Sequence, residues 1–190
     1  MATTAQTYGL IPAYHPSGQS RANEYSIASS YTTAIYQGAL VKLVTGGGIE
    51  NGDGSTDAIG VFAGCSYVDP TGKPRFSPNW PGLSGCTNIR ARVYDDQQNV
   101  FRVGVSANAS GYTLAAIGDQ VDLANNTAGN AATGRSTASV AAAAVGAGTQ
   151  AQLRVVGFVG GEPHDATTNP FPELLVQIAQ HQYVADKAAI

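Results

Sequence analysis

The segment Ile89-Arg90-Ala91-Arg92-Val93-Tyr94 alternates apolar and polar residues, turns through Asp95-Asp96-Gln97-Gln98, and returns as Val100-Phe101-Arg102-Val103-Gly104-Val105. Period-two alternation on both sides of a short polar turn marks a β-hairpin with one buried face. No apolar period of 3.6 residues persists anywhere in the chain, so no long amphipathic helix competes with it. The same reading gives strands at 24–27, 38–44, 58–68, 120–123, 152–159 and 173–179. Gly46-Gly47-Gly48 closes the second of these, and Asn51-Gly52-Asp53-Gly54-Ser55 has the chemistry of a further turn. Residues 110–118 carry at most one helical turn, stopped by Gly118. The expected fold class is all-β: a single β-barrel or β-sandwich of about eight strands.

Four prolines punctuate residues 69–88, which read as one long loop with Trp80 inside it. Residues 124–150 are almost all Ala, Gly, Thr, Ser and Asn, and read as irregular chain with one weak strand. Residues 1–30 read as an extended N-terminal arm, because Pro12 and Pro16 break any helix and favour an extended residue before them. The domain proper is then 31–190. Tyr8, Leu10, Ile11 and Tyr14 give the arm apolar character without a period, so it needs a groove, and a neighbouring subunit is the expected provider.

Charged residues make up 12% of the 190, about half the usual share. The net charge is −3, and the ten Lys and Arg are scattered singly. No basic run follows a phosphate backbone, so no nucleic-acid partner is expected. The first residues lack a basic region and an apolar core, so no signal peptide is read there, and no apolar run is long enough for a membrane span. Synthesis in a cytoplasm is the expectation. Cys65 and Cys86 are too few for zinc. A disulfide and a pair of half-buried free thiols both remain open, the thiols suiting a cytoplasmic product.

Catalysis has little to stand on. A nucleophile needs a base in reach, yet His15, His164 and His181 read as polar loop or surface residues, and no Gly-x-Ser-x-Gly elbow occurs. Asp95-Asp96 sits in a hairpin turn, where such carboxylates usually accept backbone N–H groups. Glu50, Asp53 and Asp57 match no calcium loop, and Gly46-Gly47-Gly48 lacks the Lys and helix of a phosphate loop. The expectation is no enzyme, no metal and no cofactor.

The aromatic residues point elsewhere. Nine tyrosines stand against five phenylalanines and one tryptophan, and Tyr8, Tyr14, Tyr25, Tyr31 and Tyr36 crowd into the first 36 residues. Tyrosine buries area while its hydroxyl stays bonded, a profile enriched at interfaces. Tyr8, Leu10, Ile11, Tyr14, Tyr25, Tyr31 and Trp80 are the expected partner-contact residues.

Several segments in order along the chain carry a resemblance. They are Tyr8-Gly9-Leu10-Ile11-Pro12, Glu24 to Tyr31, Ile35 to Leu43, Ile59 to Gly64, Asn88 to Val103 and Leu174 to Ile178. Together they resemble the small cement, or decoration, proteins that accompany the major capsid protein in tailed bacteriophages. The resemblance implies a structural virion protein on the outer capsid surface, stapling neighbouring major capsid protein subunits and stabilising the expanded shell. It also implies self-association, by analogy as a trimer. Residues 69–88 and 124–150 have no counterpart in it. The alternative from another class is a receptor- or carbohydrate-binding β-module like a tail spike, which would use Trp80 as an exposed platform.

Overall fold

A computed structural model describes residue 5 and residues 7–52, 57–106, 112–142, 150–161 and 169–184. Its strands, in chain order, are β1 (Ile11–Tyr14), β2 (Asn23–Ser26), β3 (Leu40–Leu43), β4 (Ile49–Asn51), β5 (Gly60–Val68), β6 (Pro74–Ser77), β7 (Thr87–Tyr94) and β8 (Val100–Gly104). They continue as β9 (Gln120–Val121), β10 (Leu123–Ala124), β11 (Gly129–Asn130), β12 (Arg135–Ser136), β13 (Ser139–Val140), β14 (Leu153–Phe158) and β15 (Glu173–Ile178). Helical structure among the described residues is confined to two 3-10 turns, Leu114–Ala116 and Val159–Gly161. The protein is all-β, as the alternation predicts.

Two antiparallel sheets carry the fold, and neither closes into a barrel. Sheet one has the order β1-β8-β15-β14-β9; sheet two has β2-β7-β5-β3-β4, with β6 also on β5. The inner face of sheet one is a row of alternate residues, Phe101 and Val103 on β8 and Leu174, Val176 and Ile178 on β15. They meet Leu40 and Val61 from sheet two. A second core lies on the other side of sheet two, where Val41, Ile59, Phe62, Ala91 and Val93 pack against Ile27, Ile35, Trp80 and Cys86 from the segments flanking the strands. Sheet two is therefore a middle layer. That position explains the unbroken apolar run Ala58-Ile59-Gly60-Val61-Phe62, every residue of which is buried: a strand covered on both faces has no polar side to alternate with.

Strand β5 changes character halfway. A bulge between Phe62 and Gly64 shifts its pairing with β7, so Phe62, Cys65 and Tyr67 all face the second core. One extra residue resets the two-residue side-chain period. Gly64 sits there at φ 133°, a conformation that L side chains rarely adopt. Beyond the bulge β5 runs with β6 and β7 past the sheet–sheet contact, and its outward residues there lie under no second layer.

Three sequence expectations are corrected. Residues 7–30 do not stand off as an arm: β1 pairs with β8 and β2 pairs with β7, so this segment supplies one edge to each sheet of its own domain. Its Leu10 is fully buried in the first core. The prolines misled because Pro12 lies inside the edge strand β1 and Pro16 just beyond it, where a missing N–H donor is tolerated. The span 69–88 is not one loop either. Asp69 builds a tight turn by accepting from Thr71 N–H, Thr71 hydroxyl and Lys73 N–H, and β6 then returns along β5. The 124–150 segment is more ordered than its composition predicts over its described part. It forms β11 with β12 and places Ala138 and Val140 in the first core. Its anchor is Asn126, a buried amide whose Oδ1 accepts from Leu40 N–H at 2.8 Å. The Nδ2 of Asn126 donates to the carbonyls of Leu40 and Gly52 at 2.9 and 2.7 Å. The hairpin turn of β3–β4 falls on Thr45–Gly48, with Gly46 and Gly47 both at positive φ. Residues 53–55 of the other expected turn lie outside the described residues, as do 143–149 and the tail from 185.

Removing the Asn126 amide strands three buried backbone groups. Asn126→Ala is expected to lower unfolding free energy by about 2–4 kcal/mol, against about 0.5 kcal/mol for Asn130→Ala in the exposed turn, as read by urea denaturation. Removal of residues 2–22 takes away β1 and Leu10, and the truncated chain is expected to lose its cooperative transition.

Candidate functional site

The seven expected contact residues do not form one surface. Tyr8, Leu10 and Ile11 line a cleft between β1 and β5, together with Pro12, Tyr94 and Arg135. The Tyr8 hydroxyl donates to Glu173 Oε1 at 2.7 Å, and Arg102 lies 5.7 Å from the Tyr8 ring centre. Burial first, and then the bond to the Glu173 carboxylate, hold this phenol protonated well above the usual range. Tyr31 and Trp80 sit under sheet two. The Trp80 indole N–H donates to the Tyr31 carbonyl at 3.1 Å, Tyr67 packs edge-on to the indole at 5.3 Å, and Trp80 and Ile35 exchange backbone hydrogen bonds. Trp80 is 0% exposed and Leu10 is 1% exposed, so neither side chain is available to a partner. Both read as contact residues from sequence because a tryptophan between prolines and a leucine near a terminus give no sign of which strand will cover them.

Tyr25 belongs to a third place, a polar network around the β7–β8 turn. Asp95 accepts from the Tyr25 hydroxyl at 2.5 Å and from Asn23 Nδ2 at 2.9 and 3.0 Å. Tyr25 also meets the Tyr183 hydroxyl at 3.1 Å. His181 Nδ1 accepts from Tyr183 N–H at 3.1 Å, so the ring proton belongs on Nε2, which donates to the Asp95 carbonyl at 3.0 Å. Asp96 accepts from Gln98 N–H at 2.8 Å, the expected backbone role, and its Oδ1 lies 3.2 Å from His15 Nε2. Residues from 15–25, 95–96 and 181–183 thus converge on one turn. Tyr14, half exposed, lies on β1 opposite Val100.

His181 corrects the reading of a surface histidine, since it is 1% exposed. The missed signal was tertiary. Ala58 and the segment Gln180–Gln182 bond to each other through Ala58 N–H to Gln180 O and Gln182 N–H to Ala58 O, which draws the imidazole under the turn. His15 has a side chain only 8% exposed, because Asp96 and Ser17 enclose it. His164 and Asp53 lie outside the described residues.

The network has no nucleophile. Asp95 holds its donors with both oxygens, and the buried imidazole is committed to a backbone carbonyl. Among the described residues no three His, Cys, Asp or Glu side chains group as metal ligands. Cys65 and Cys86 are free and buried in the second core. Burial, with a smaller contribution from Cys86, pushes the Cys65 thiol up to about 12, and burial also raises Cys86. Both are therefore held as thiols rather than thiolates. No described helix is long and apolar enough to cross a membrane. Comparison of the chain with protein-family models, with curated proteins and with solved structures finds no match.

Two outcomes follow. Burial depresses His181 below its ordinary value near 6.5, against the opposing hydrogen bond to the Asp95 carbonyl. The unfolded chain then takes up this proton before the folded one, so stability holds above that value and declines as pH falls below it. The Gln98 N–H donor holds Asp96 below its ordinary value near 3.8, so its contribution is lost only at still lower pH. Unfolding free energy should begin to fall as the pH drops below about 6.5, and His181→Gln should remove that step. Separately, a thiol reagent at mildly alkaline pH should leave both cysteines unlabelled in the native protein and label both in denaturant.

Proposed function

We propose that this chain is a structural virion protein that binds the outer surface of a tailed-phage capsid, staples neighbouring major capsid protein subunits and stabilises the expanded shell. The observation that carries the reading is where the resembling segments lie. They supply half of β1, most of β2, all of β3, the first half of β5, most of β7 and β8, and most of β15, the middle strand of sheet one. The resemblance therefore covers a connected frame rather than scattered pieces. The spans outside it, 69–88 and 124–150, hang the exposed Phe76 and Leu83 and the β11–β12 hairpin on that frame. A rigid two-sheet body with apolar residues on its attachments suits a staple, which gains avidity from several modest contacts at once.

The carbohydrate-binding alternative rested on Trp80 as a stacking platform, and the indole is buried beneath sheet two. No other described tryptophan exists to replace it.

With few charges, the capsid contact is mainly apolar and backbone-mediated, and it should survive salt that screens exposed ion pairs. Binding only the expanded shell would shift that equilibrium toward expansion. Purified protein is expected to co-sediment with expanded shells at both low and about 1 M salt, and to leave unexpanded precursors bare. It should also be present in hundreds of copies per particle by mass spectrometry. Equal binding to both shell forms would remove the staged role; a copy number of a few to tens would favour a spike.

A further inference from the structure

Where β5, β6 and β7 run past the sheet–sheet contact, one face is bare. Cross-strand register puts Ser66 between Arg90 on β7 and Phe76 on β6. In the next row Arg92 lies opposite Gly64, which has no side chain. The gap leaves a groove with Gly64 and Ser66 on its floor and Phe76, Pro78 and Arg92 around it. Phe76 is 80% exposed, more than any other large apolar side chain described. The arginines here differ in their commitments. Arg90 pairs with Glu24 and Arg75 with Asp69, whereas the exposed Arg92 has no ion pair or side-chain hydrogen bond among the described residues. The groove is thus apolar on one wall and cationic on the other.

The same chain carries a feature of complementary chemistry. The 3-10 turn projects Leu114 and Ile117, 63% and 48% exposed, while its Ala116 is anchored in the first core. Hydrogen bonds from Gly118 N–H to the Val155 carbonyl and from Val155 N–H to the Asp119 carbonyl fix the turn to β14. Asp119 follows directly, exposed and with no side-chain partner among the described residues. This is a rigid apolar prong with a carboxylate at its base. The remaining exposed large apolar residues fit less well: Tyr14 and Tyr183 carry polar hydroxyls, and Leu83 stands alone.

We propose that the Phe76–Arg92 groove receives the Leu114–Ile117 turn of a second copy of this chain, with Asp119 of that copy beside Arg92. Groove and prong sit on different sheets and both are exposed within one chain, so they do not satisfy each other there. The contact is heterologous: each copy gives its prong and offers its groove. Such contacts close into a ring or continue as a chain, depending on the rotation between copies. Apolar burial supplies the attraction, and the carboxylate–guanidinium pair sets the register. This inference stands independently of the capsid reading.

Sedimentation velocity on the full chain over a concentration series tests it. The unaltered protein is expected to gain mass with concentration. Phe76→Ser and Leu114→Ser, which alter opposite halves of the contact, and the charge reversals Arg92→Glu and Asp119→Arg should each weaken association by about tenfold or more. Circular dichroism should show each variant folded. Mixing Arg92→Glu with Asp119→Arg should restore association, because each protein then offers a groove matched to the other's prong. A monomer at every concentration, variants that associate as tightly as the unaltered protein, or a mixture that stays dissociated would each overturn the proposal.

Discussion

Backbone pairing along β5 is the constraint on which the rest of this structure depends. Its Gly60–Val61 end bonds to β3, its Cys65–Val68 end bonds to β6, and its whole length bonds to β7. One strand thereby holds five others, counting β2 through β7 and β4 through β3, in a single sheet. At Gly60 the strands approach so closely that a Cβ would lie 2.3 Å from the Tyr94 carbonyl, so only glycine fits. The bulge at Gly64 then redirects the side chains without breaking the ladder. A buried backbone group without a partner is costly, and a chain with so few charges has little else with which to organise its interior.

Much of the fold was legible in sequence wherever a strand has one wet face. The alternation of Ile89 to Tyr94 appears directly as alternating burial, and the strand read at 173–179 shows the same alternation of burial across Glu173–Ile178. The unbroken run at 58–62 was legible as a strand, but not as the middle of three layers, because two covered faces leave no polar residue to orient it. The N-terminal segment was misread for a related reason. The strand at 24–27 was legible, but the edge strand β1 is short and pairs on one side only, so its four residues carry almost no period of their own. The Ala/Gly/Thr-rich segment hid its anchor in a single side chain, Asn126, whose importance lies in three backbone groups distant in sequence.

The contact residues were legible as a type rather than as a place. Tyr25 does sit in a network and Tyr8 does line a cleft. Trp80, the most conspicuous aromatic, is interior. Phe76 and Leu114 drew no notice in sequence, since exposure of an apolar residue is set by what fails to cover it. The lack of a layer over the β5–β6–β7 end and the small size of the 3-10 turn are properties of topology.

The convergence of three distant segments on the Asp95 turn has a consequence for the order of events during synthesis. Asn23 and Tyr25 leave the ribosome early, their carboxylate partner follows about seventy residues later, and His181 and Tyr183 arrive last. Sheet one has the same character, since β8 lies between β1 and β15 and gains its second neighbour only after residue 178 is made. Pairings this remote incur their loop-closure entropy before they return any contact energy, which slows folding. The nascent chain therefore presents the unpaired edge of β8 throughout the translation of β9 to β14. In that interval the exposed edge is open to the wrong pairings that late, long-range assembly invites.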